Sequence, residues 1–132
     1  MRAILFSLVS EALGADFGDG DRVFSSGAVR EDNLPASPFA VVRFGPVTPG
    51  MGIVRQAQPT IWIHSKGADY GVIDDALQSI YGRLHGAEHV PEQGGSAELI
   101  RAEWQSDSDD LFDPGFRTIT KNSLYRLTGT GA

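Results

Sequence analysis

The chain of 132 residues contains no cysteine. Its absence excludes disulfide bonds, a thiol nucleophile and cysteine-ligated zinc. A domain of this length buries roughly two-thirds of its unfolded surface, which allows a core without a metal or a cross-link. The sequence also lacks an apolar run of about 18 residues, the minimum for a membrane helix, so no membrane partner is predicted.

Positive charge is scarce in this chain. Eleven Lys and Arg residues stand against 17 Asp and Glu residues, which gives a net charge of -6. Because affinity for nucleic acid requires clustered Lys and Arg, a general nucleic-acid binder is not predicted. The 16 glycines and seven prolines indicate many turns between the ordered elements.

The first 16 residues, MRAILFSLVSEALGAD, allow two interpretations. Arg2 followed by a short apolar run is a faint signal-peptide pattern. The apolar residues, however, recur on one helical face: Ile4, Leu5, Leu8, Val9, Ala12 and Leu13. We therefore predict an amphipathic helix that stops at Gly14, since glycine relieves the left-handed end of a helix.

A second helix is predicted from Asp69, which can cap it, to the turn before Gly86. Two strands precede it, at 39–44 and 53–64. Pro59 lacks a backbone donor, so the longer strand should lie at an edge or be bulged there. Between the strands, GPVTPGMG (45–52) holds three glycines and two prolines, and we expect a hairpin tip or exposed arm without regular structure.

Two segments near the C-terminus alternate as strands do. In 98–105, one face carries Ile100, Ala102 and Trp104. In 116–127, one face carries Ile119, Tyr125 and Leu127, which are separated by even numbers of residues. We expect Ile100 and Trp104 to pack on two residues of the second helix, Ile73 and Leu77. The order of helices and strands along the chain predicts a single α+β domain over 1–132, with two helices packed on a mostly antiparallel β-sheet of four to five strands.

Histidines offer no clear catalytic or metal site. His85 and His89 are four residues apart, but Gly86 between them should end the helix, so we interpret them as surface residues. His64 ends a predicted strand and is expected to face solvent. The sequence shows no Gly-x-Ser-x-Gly elbow and no phosphate-binding glycine loop. We predict no enzyme, no cofactor and no bound metal.

An acidic segment is the strongest local charge pattern. Four aspartates fall within seven residues: Asp107, Asp109, Asp110 and Asp113. A calcium loop of the EF-hand type would need other residues where Leu111, Phe112 and Thr118 stand. Solvent exposure, a basic partner surface or a cation would each relieve the repulsion among the carboxylates. Leu111 and Phe112 within an acidic loop suggest an interface.

Five motifs occur in a characteristic order along the chain. They are RVF at 22–24, PFAVVRF at 38–44, IWIHS at 61–65, VIDDALQSIYGRLHG at 72–86 and the acidic D-D-x-x-D-x-G-x-R pattern at 109–117. Their order and spacing resemble the small tail terminator proteins of long-tailed bacteriophages, especially those of actinobacterial siphophages. The resemblance runs almost from end to end of the chain.

The resemblance implies an α+β protein that assembles in the host cytoplasm as a hexameric ring. Such a ring sits at the head-proximal end of the virion tail, caps the tail tube, ends its polymerisation and presents the joining surface to the head and neck. The implied partners are further copies of the chain, the tail tube protein and a neck or head-completion protein. DNA would cross the ring without specific binding, because acidic subunits repel phosphate.

Nine residues are candidates for these contacts. Those expected at a subunit or tail-tube interface are Met51, Ile53, Leu111, Phe112 and Arg117. The acidic loop expected to line the lumen or face a partner comprises Asp107, Asp109, Asp110 and Asp113. Three alternatives stay open: a head–tail connector ring, a small metal-dependent enzyme that uses the Asp107–Asp113 cluster, and a monomeric binding module with a mobile arm at 45–52.

Overall fold

The computed structural model describes residues 1–91 and 97–130, which form two helices and a nine-stranded sheet. The helices are α1 (Arg2–Ala12) and α2 (Tyr70–Leu84), and a short 3-10 turn covers Ala15–Phe17. The strands are β1 (Val23–Ser25), β2 (Phe39–Arg43), β3 (Val47–Pro49), β4 (Val54–Ala57), β5 (Thr60–Ser65), β6 (Glu88–Pro91), β7 (Glu98–Asp107), β8 (Leu111–Asp113) and β9 (Thr118–Thr130). The predicted α+β class is confirmed.

The predicted strand count of four to five is wrong, since the described residues contain nine strands. Besides β4, which lies within the strand predicted at 53–64, four of the nine are only three or four residues long: β1, β3, β6 and β8. Segments this short carry no measurable alternation of apolar and polar residues, so they cannot be recognised as strands from periodicity in the sequence. The sheet is mostly antiparallel as predicted, with one parallel pair between β1 and β2.

The sheet is organised around β9, which has neighbours along both edges. On one edge it pairs with β5 and β4, and on the other with β7 and β8. The pairs Ala57↔Leu127 and Thr60↔Leu124 keep the same register, so β4 and β5 are two halves of one strand. The backbone N–H of Tyr125 donates to the Pro59 carbonyl at 3.0 Å. The strand predicted at 53–64 is therefore interrupted at Pro59 but keeps its place beside β9.

Strands β2 to β5 form a long hairpin, here called the hairpin arm, and residues 50–53 are its tip. Strand β3 pairs with β4 from Val47↔Ala57 to Pro49↔Arg55. The expectation that 45–52 holds no regular structure is therefore wrong for Val47–Pro49, while the expected tip is present. Proline is tolerated because β3 is an edge strand, paired only with β4 among the described residues.

The predicted acidic loop consists of the end of β7, a connection at 108–110 outside any strand, and the short strand β8. Strands β7 and β8 both pair with β9, and the connecting turn lies at 114–117. Ser108 continues the ladder, because its N–H donates to the Asn122 carbonyl at 2.8 Å and its hydroxyl accepts from the Asn122 N–H at 3.0 Å. Leu111 and Phe112 thus belong to β8 and not to a loop. The clustered aspartates concealed the strand, since Asp is a poor strand former.

Both faces of the sheet carry apolar side chains. The face under α1 and α2 holds the main core, in which Leu5, Ile63, Ile80 and Leu127 have no exposed surface. A smaller cluster lies on the opposite face and comprises Val29, Phe39 and Val41 with Phe24, Leu34, Trp62 and Phe116 packed around them. Strand β2 is consequently buried on both sides.

The helices begin and end largely where the sequence predicts. Asp69 caps α2, since its carboxylate accepts from the Gly71 N–H at 2.7 Å, and Gly86 has the expected positive φ of 80°. Helix α1 ends differently: its last residue is Ala12, and the capping residue Leu13 is extended, so Gly14 is not a left-handed stop. Within residues 1–91 and 97–130, no helix is long and apolar enough to cross a membrane.

Part of the predicted core on β7 is wrong. Ile73 and Leu77 of α2 are buried as expected, but Trp104 is 39% exposed and Ile100 only partly buried. A register shift between Leu99 and Arg101 reverses the alternation, because a bulge adds one residue to one strand. As a result Leu99 and Ala102 are the residues of β7 that enter the core.

Leu77→Ala should lower the free energy of unfolding by about 2–5 kcal/mol, since it leaves a cavity between α2 and the sheet. Urea or thermal denaturation measures the change. Gln78→Ala, on the exposed side of the same turn, is the matched control and should change stability by less than about 0.5 kcal/mol. A Leu77→Ala cost similar to that of the control would show that the buried face of α2 is misassigned.

Candidate functional site

The tip of the hairpin arm carries the most exposed apolar side chains of the described residues. Met51 is 89% and Ile53 77% exposed. The turn is closed by two backbone hydrogen bonds, from the Gly50 N–H to the Val54 carbonyl at 2.9 Å and from the Val54 N–H to the Met51 carbonyl at 3.1 Å. These bonds hold both apolar side chains at the end of an ordered hairpin.

A second apolar surface lies on β8. Phe112 is 62% and Leu111 38% exposed. The Tyr70 hydroxyl donates to the Leu111 carbonyl at 2.7 Å, which fastens this edge strand to the start of α2. Arg117 is exposed in the adjoining turn with a φ of 55°. Leu111, Phe112 and Arg117 are here called the β8 surface. Leu111 and Phe112 are neighbours in a strand, so their side chains point to opposite faces of the sheet.

The tip and the β8 surface lie at opposite ends of β9. Val54 of the arm pairs with Thr130, while Phe112 pairs with Ile119. Eleven residues of β9 separate those two positions, which is roughly 35 Å along an extended strand. The five residues predicted at an interface thus divide into two separate surfaces.

The four predicted aspartates do not converge on one point. Asp107 accepts from the Trp104 indole N–H at 2.9 Å and from the Ser123 hydroxyl, and Asp113 accepts from the Phe116 N–H at 3.0 Å. Asp110 lies 3.7 Å from the Lys121 ammonium, and Asp109 is exposed. Among residues 1–91 and 97–130, no group of three or more Asp, Glu, His or Cys side chains is placed to hold a metal ion.

Sequence reasoning missed a cleft between α2 and β7, here called the α2–β7 cleft. Its volume is about 510 Å³. Its apolar lining comes from Leu77, Tyr81 and Trp104, and the two aromatic rings meet edge to face with centroids 6.0 Å apart. His85 contacts both aromatic residues of the cleft. Its ring stacks on Tyr81 with centroids 4.8 Å apart, and its Nδ1 accepts a hydrogen bond from the Trp104 backbone N–H at 3.0 Å. Trp104 pairs with the buried Tyr125 and so lies on the helix-facing side of the sheet, where its position opposite Tyr81 depends on strand pairing that the sequence does not show.

Charged side chains line the rim of the α2–β7 cleft. Asp74 and Asp107 contribute carboxylates and Lys121 an ammonium group. Lys121 lies 2.8 Å from Asp74, and this hydrogen bond is the main cause that raises the pKa of Lys121. Asp107 is hydrogen-bonded only to neutral groups of the described chain, Trp104 and Ser123. The rim therefore has net negative charge.

His64 does not face solvent as predicted, because it is only 3% exposed. Its ring stacks on Phe39 at 5.1 Å and meets the edge of Phe116 at 5.2 Å, and its Nδ1 lies 2.8 Å from the Thr118 hydroxyl. Burial lowers the pKa of His64 to about 4, although the nearby Asp113 opposes the shift. His64 is thus a neutral core residue near pH 7.

The other two histidines follow the prediction that the helix ends before His89. Helix α2 stops at Leu84, and His85 is its capping residue. His89 lies in β6 with a φ of 52°, so the two rings do not share a helical face. Both residues are exposed.

Comparison with known proteins gives a structural neighbour but no sequence relative. No protein-family model matches the chain, and no curated protein matches it. Among solved structures, it is similar to a chain of the virion of a native gene transfer agent (GTA) particle, with a TM-score of 0.58 and 16% identity. The match covers 98% of this chain and 86% of the other. At this identity the similarity shows a shared fold.

His64 should make the protein sensitive to acid. Its pKa is about 4 in the folded chain and 6.5 in the unfolded chain, so its contribution is complete above pH 6.5 and is lost as the pH falls towards 4. Wild-type protein should lose up to about 3 kcal/mol more stability between pH 7 and pH 4 than the non-titrating variant His64→Phe. Urea denaturation across this pH range measures the difference.

His89→Gln is the control for this experiment, because it removes an exposed imidazole instead of a buried one. Its stability should follow the wild-type pH profile. Parallel profiles for His64→Phe and wild type would contradict the assignment of a buried neutral histidine.

Proposed function

We propose that the chain is a structural virion protein, a tail terminator that assembles as a ring, caps a phage tail tube, stops its polymerisation and forms the joining surface to the head and neck. The observation that carries the proposal is the end-to-end similarity of its fold to a virion chain of a gene transfer agent particle. The order of sequence motifs supports the same role. We assign no reaction to the chain.

The distribution of apolar surface supports a ring. The tip and the β8 surface are different patches at opposite ends of β9, each more exposed than a monomer requires. Two different patches on one subunit allow head-to-tail contacts, which close into a ring when the rotation between subunits is suitable. We assign Met51, Ile53, Leu111, Phe112 and Arg117 to contacts with other subunits or with the tail tube protein.

The charge of the chain suits passage of DNA. With a net charge of -6 per subunit, a ring would surround its channel with negative charge and repel phosphate groups. Four aspartates between the end of β7 and the end of β8 are the candidates for a lumen or partner surface: Asp107, Asp109, Asp110 and Asp113. DNA would then slide through the channel without specific binding.

A head–tail connector ring is the nearest competing role, and a capping assay separates the two. Purified chain is added to tail tube protein during polymerisation. A terminator should shorten the tubes in proportion to its concentration and appear at one tube end in electron micrographs. A ring-forming chain that leaves tube length unchanged would be a connector, and the terminator role would be abandoned.

Met51→Asp and Phe112→Asp should each weaken assembly without unfolding the subunit, because each places a charge on an exposed apolar surface. Light scattering over a concentration series, together with negative-stain images, measures assembly, and circular dichroism checks the fold. We expect at least a tenfold rise in the protein concentration needed for rings or capped tubes.

Ser7→Asp is the matched control, since it adds the same charge on the exposed side of α1, beside a cleft that includes no residue of the tip or of the β8 surface. It should assemble as wild type does. Wild-type rings and normal capping by both Met51→Asp and Phe112→Asp would remove these surfaces from the proposal.

A further inference from the structure

We propose that the tip of one subunit docks in the α2–β7 cleft of a second copy of this chain, an inference that rests on the ring assembly proposed above. The tip offers two apolar side chains, Met51 and Ile53, and the cleft offers apolar walls. The cleft volume of about 510 Å³ falls within the range of roughly 300–1,000 Å³ that is typical of binding pockets.

The residues on both sides are of the kinds that dominate protein interfaces. Tyr81 and Trp104 remain 37% and 39% exposed, although aromatic rings of this size are normally buried. Tyrosine and tryptophan are enriched among the residues that contribute most to binding. Methionine is unbranched and adapts to irregular apolar gaps, which suits Met51 for insertion between two rings.

Charge on the tip complements charge on the cleft. Arg55 follows the tip on β4, and its guanidinium donates only to the carbonyls of Gly52 at 3.4 Å and Val54 at 3.1 Å. No carboxylate within residues 1–91 and 97–130 forms an ion pair with Arg55. The cleft rim carries two carboxylates, Asp74 and Asp107, and one cation, Lys121, whose pKa both carboxylates raise, so one negative charge is left in excess. Docking therefore brings a cation that has no carboxylate partner in the described part of the chain to a rim of net negative charge.

A subunit cannot fill its own cleft. Val54, next to the tip, pairs with Thr130 on one edge of β9, while Asp107 of the cleft pairs with Ser123 on the other edge. Seven residues of β9 separate these positions, roughly 23 Å along an extended strand. Strand pairing fixes the arm to β9, so the cleft must receive the tip of another subunit. The contact is heterologous, the kind that generates rings.

Charge and volume favour the α2–β7 cleft over the apolar groove on the other face of the sheet. That groove, of about 230 Å³, is lined by Trp62, His64 and Phe116 and by one cation and one carboxylate, Arg43 and Asp113. These two charges cancel, so the groove offers Arg55 no excess of negative charge. The α2–β7 cleft has an excess of negative charge and more than twice the volume.

Disulfide trapping tests the docking directly, because the natural chain has no cysteine. Met51→Cys places a thiol on the tip, and Gln78→Cys places one on the cleft wall. The double variant, oxidised in solution and on capped tail tubes, should give a reducible ladder of cross-linked dimers, trimers and larger species. Met51→Cys with Ser7→Cys, in a separate cleft beside α1, is the matched control and should give no such ladder.

Mixing two assembly-defective variants tests the direction of the contact. Met51→Asp/Ile53→Asp loses the tip but keeps the cleft, and Tyr81→Asp loses the cleft but keeps the tip. Each alone should remain monomeric, whereas a mixture should form one-to-one dimers and nothing larger, because a single intact tip–cleft pair remains. A tip-to-tip contact would instead let Tyr81→Asp associate with itself as readily as the wild type.

Wild-type rings or capped tubes with no ladder from the Met51→Cys/Gln78→Cys variant would overturn the docking and leave the tail terminator role intact. Assembly of Tyr81→Asp at wild-type concentrations would do the same. Wild-type protein that neither forms rings nor shortens tubes would overturn the proposed function itself, and the docking with it.

Discussion

The pairing of β9 with strands on both of its edges is the constraint on which the rest of the structure depends. This strand of 13 residues fixes the hairpin arm on one edge and the β7–β8 segment on the other. Its residues also alternate between the two faces, so Tyr125 and Leu127 enter the core under the helices while Thr118 and Thr120 are buried on the other face. Strand β9 therefore determines where its neighbouring strands lie, in which register they pair and which of its own residues are buried.

The end of β9 also fastens the N-terminus. A Cβ atom at Gly129 would collide with the Glu98 carbonyl oxygen and would lie 2.7 Å from the side chain of Met1. Glycine here lets Met1, which is 1% exposed, pack directly on the sheet. Helix α1 is thereby held over the same strand that positions the tip, so the core and the proposed interface share one support.

The sequence predicts those elements in which the regular repeat of apolar residues is kept throughout the folded structure. Helix α2 keeps a regular apolar face with a capping aspartate and a closing glycine, and its bounds follow the prediction closely. Strand β7 contains two register shifts, and the first, between Leu99 and Arg101, places Leu99 instead of Ile100 in the core. A bulge arises from the pairing of distant strands and not from local composition, so the burial of Leu99 could not be predicted from sequence alone.

The candidate surfaces likewise divide into those that the sequence predicts and those that it does not. Exposure of Met51 and Ile53 could be predicted, because a segment rich in glycine and proline with apolar residues has little to pack against. The α2–β7 cleft could not be predicted, since it joins residues of α2 and β7 that are more than 20 positions apart in the chain. His64 illustrates the converse: its neighbours in the chain suggest a surface, while Phe39 and Phe116, both distant in sequence, bury it.

The edges of the sheet indicate which kind of contact can join subunits. Exposed strand edges tend to pair with other chains, and proteins oppose this by keeping such strands short or placing proline on them. Strand β1 has three residues, β3 has three and ends at Pro49, β6 has four and ends at Pro91, and β8 has three and ends at Asp113. Main-chain pairing between subunits is disfavoured at all four of these edge strands. Apolar side chains are exposed at the tip and on β8, so the proposed ring would form through side-chain contacts. Side-chain docking also limits assembly to matching surfaces, whereas an open strand edge would accept any extended chain.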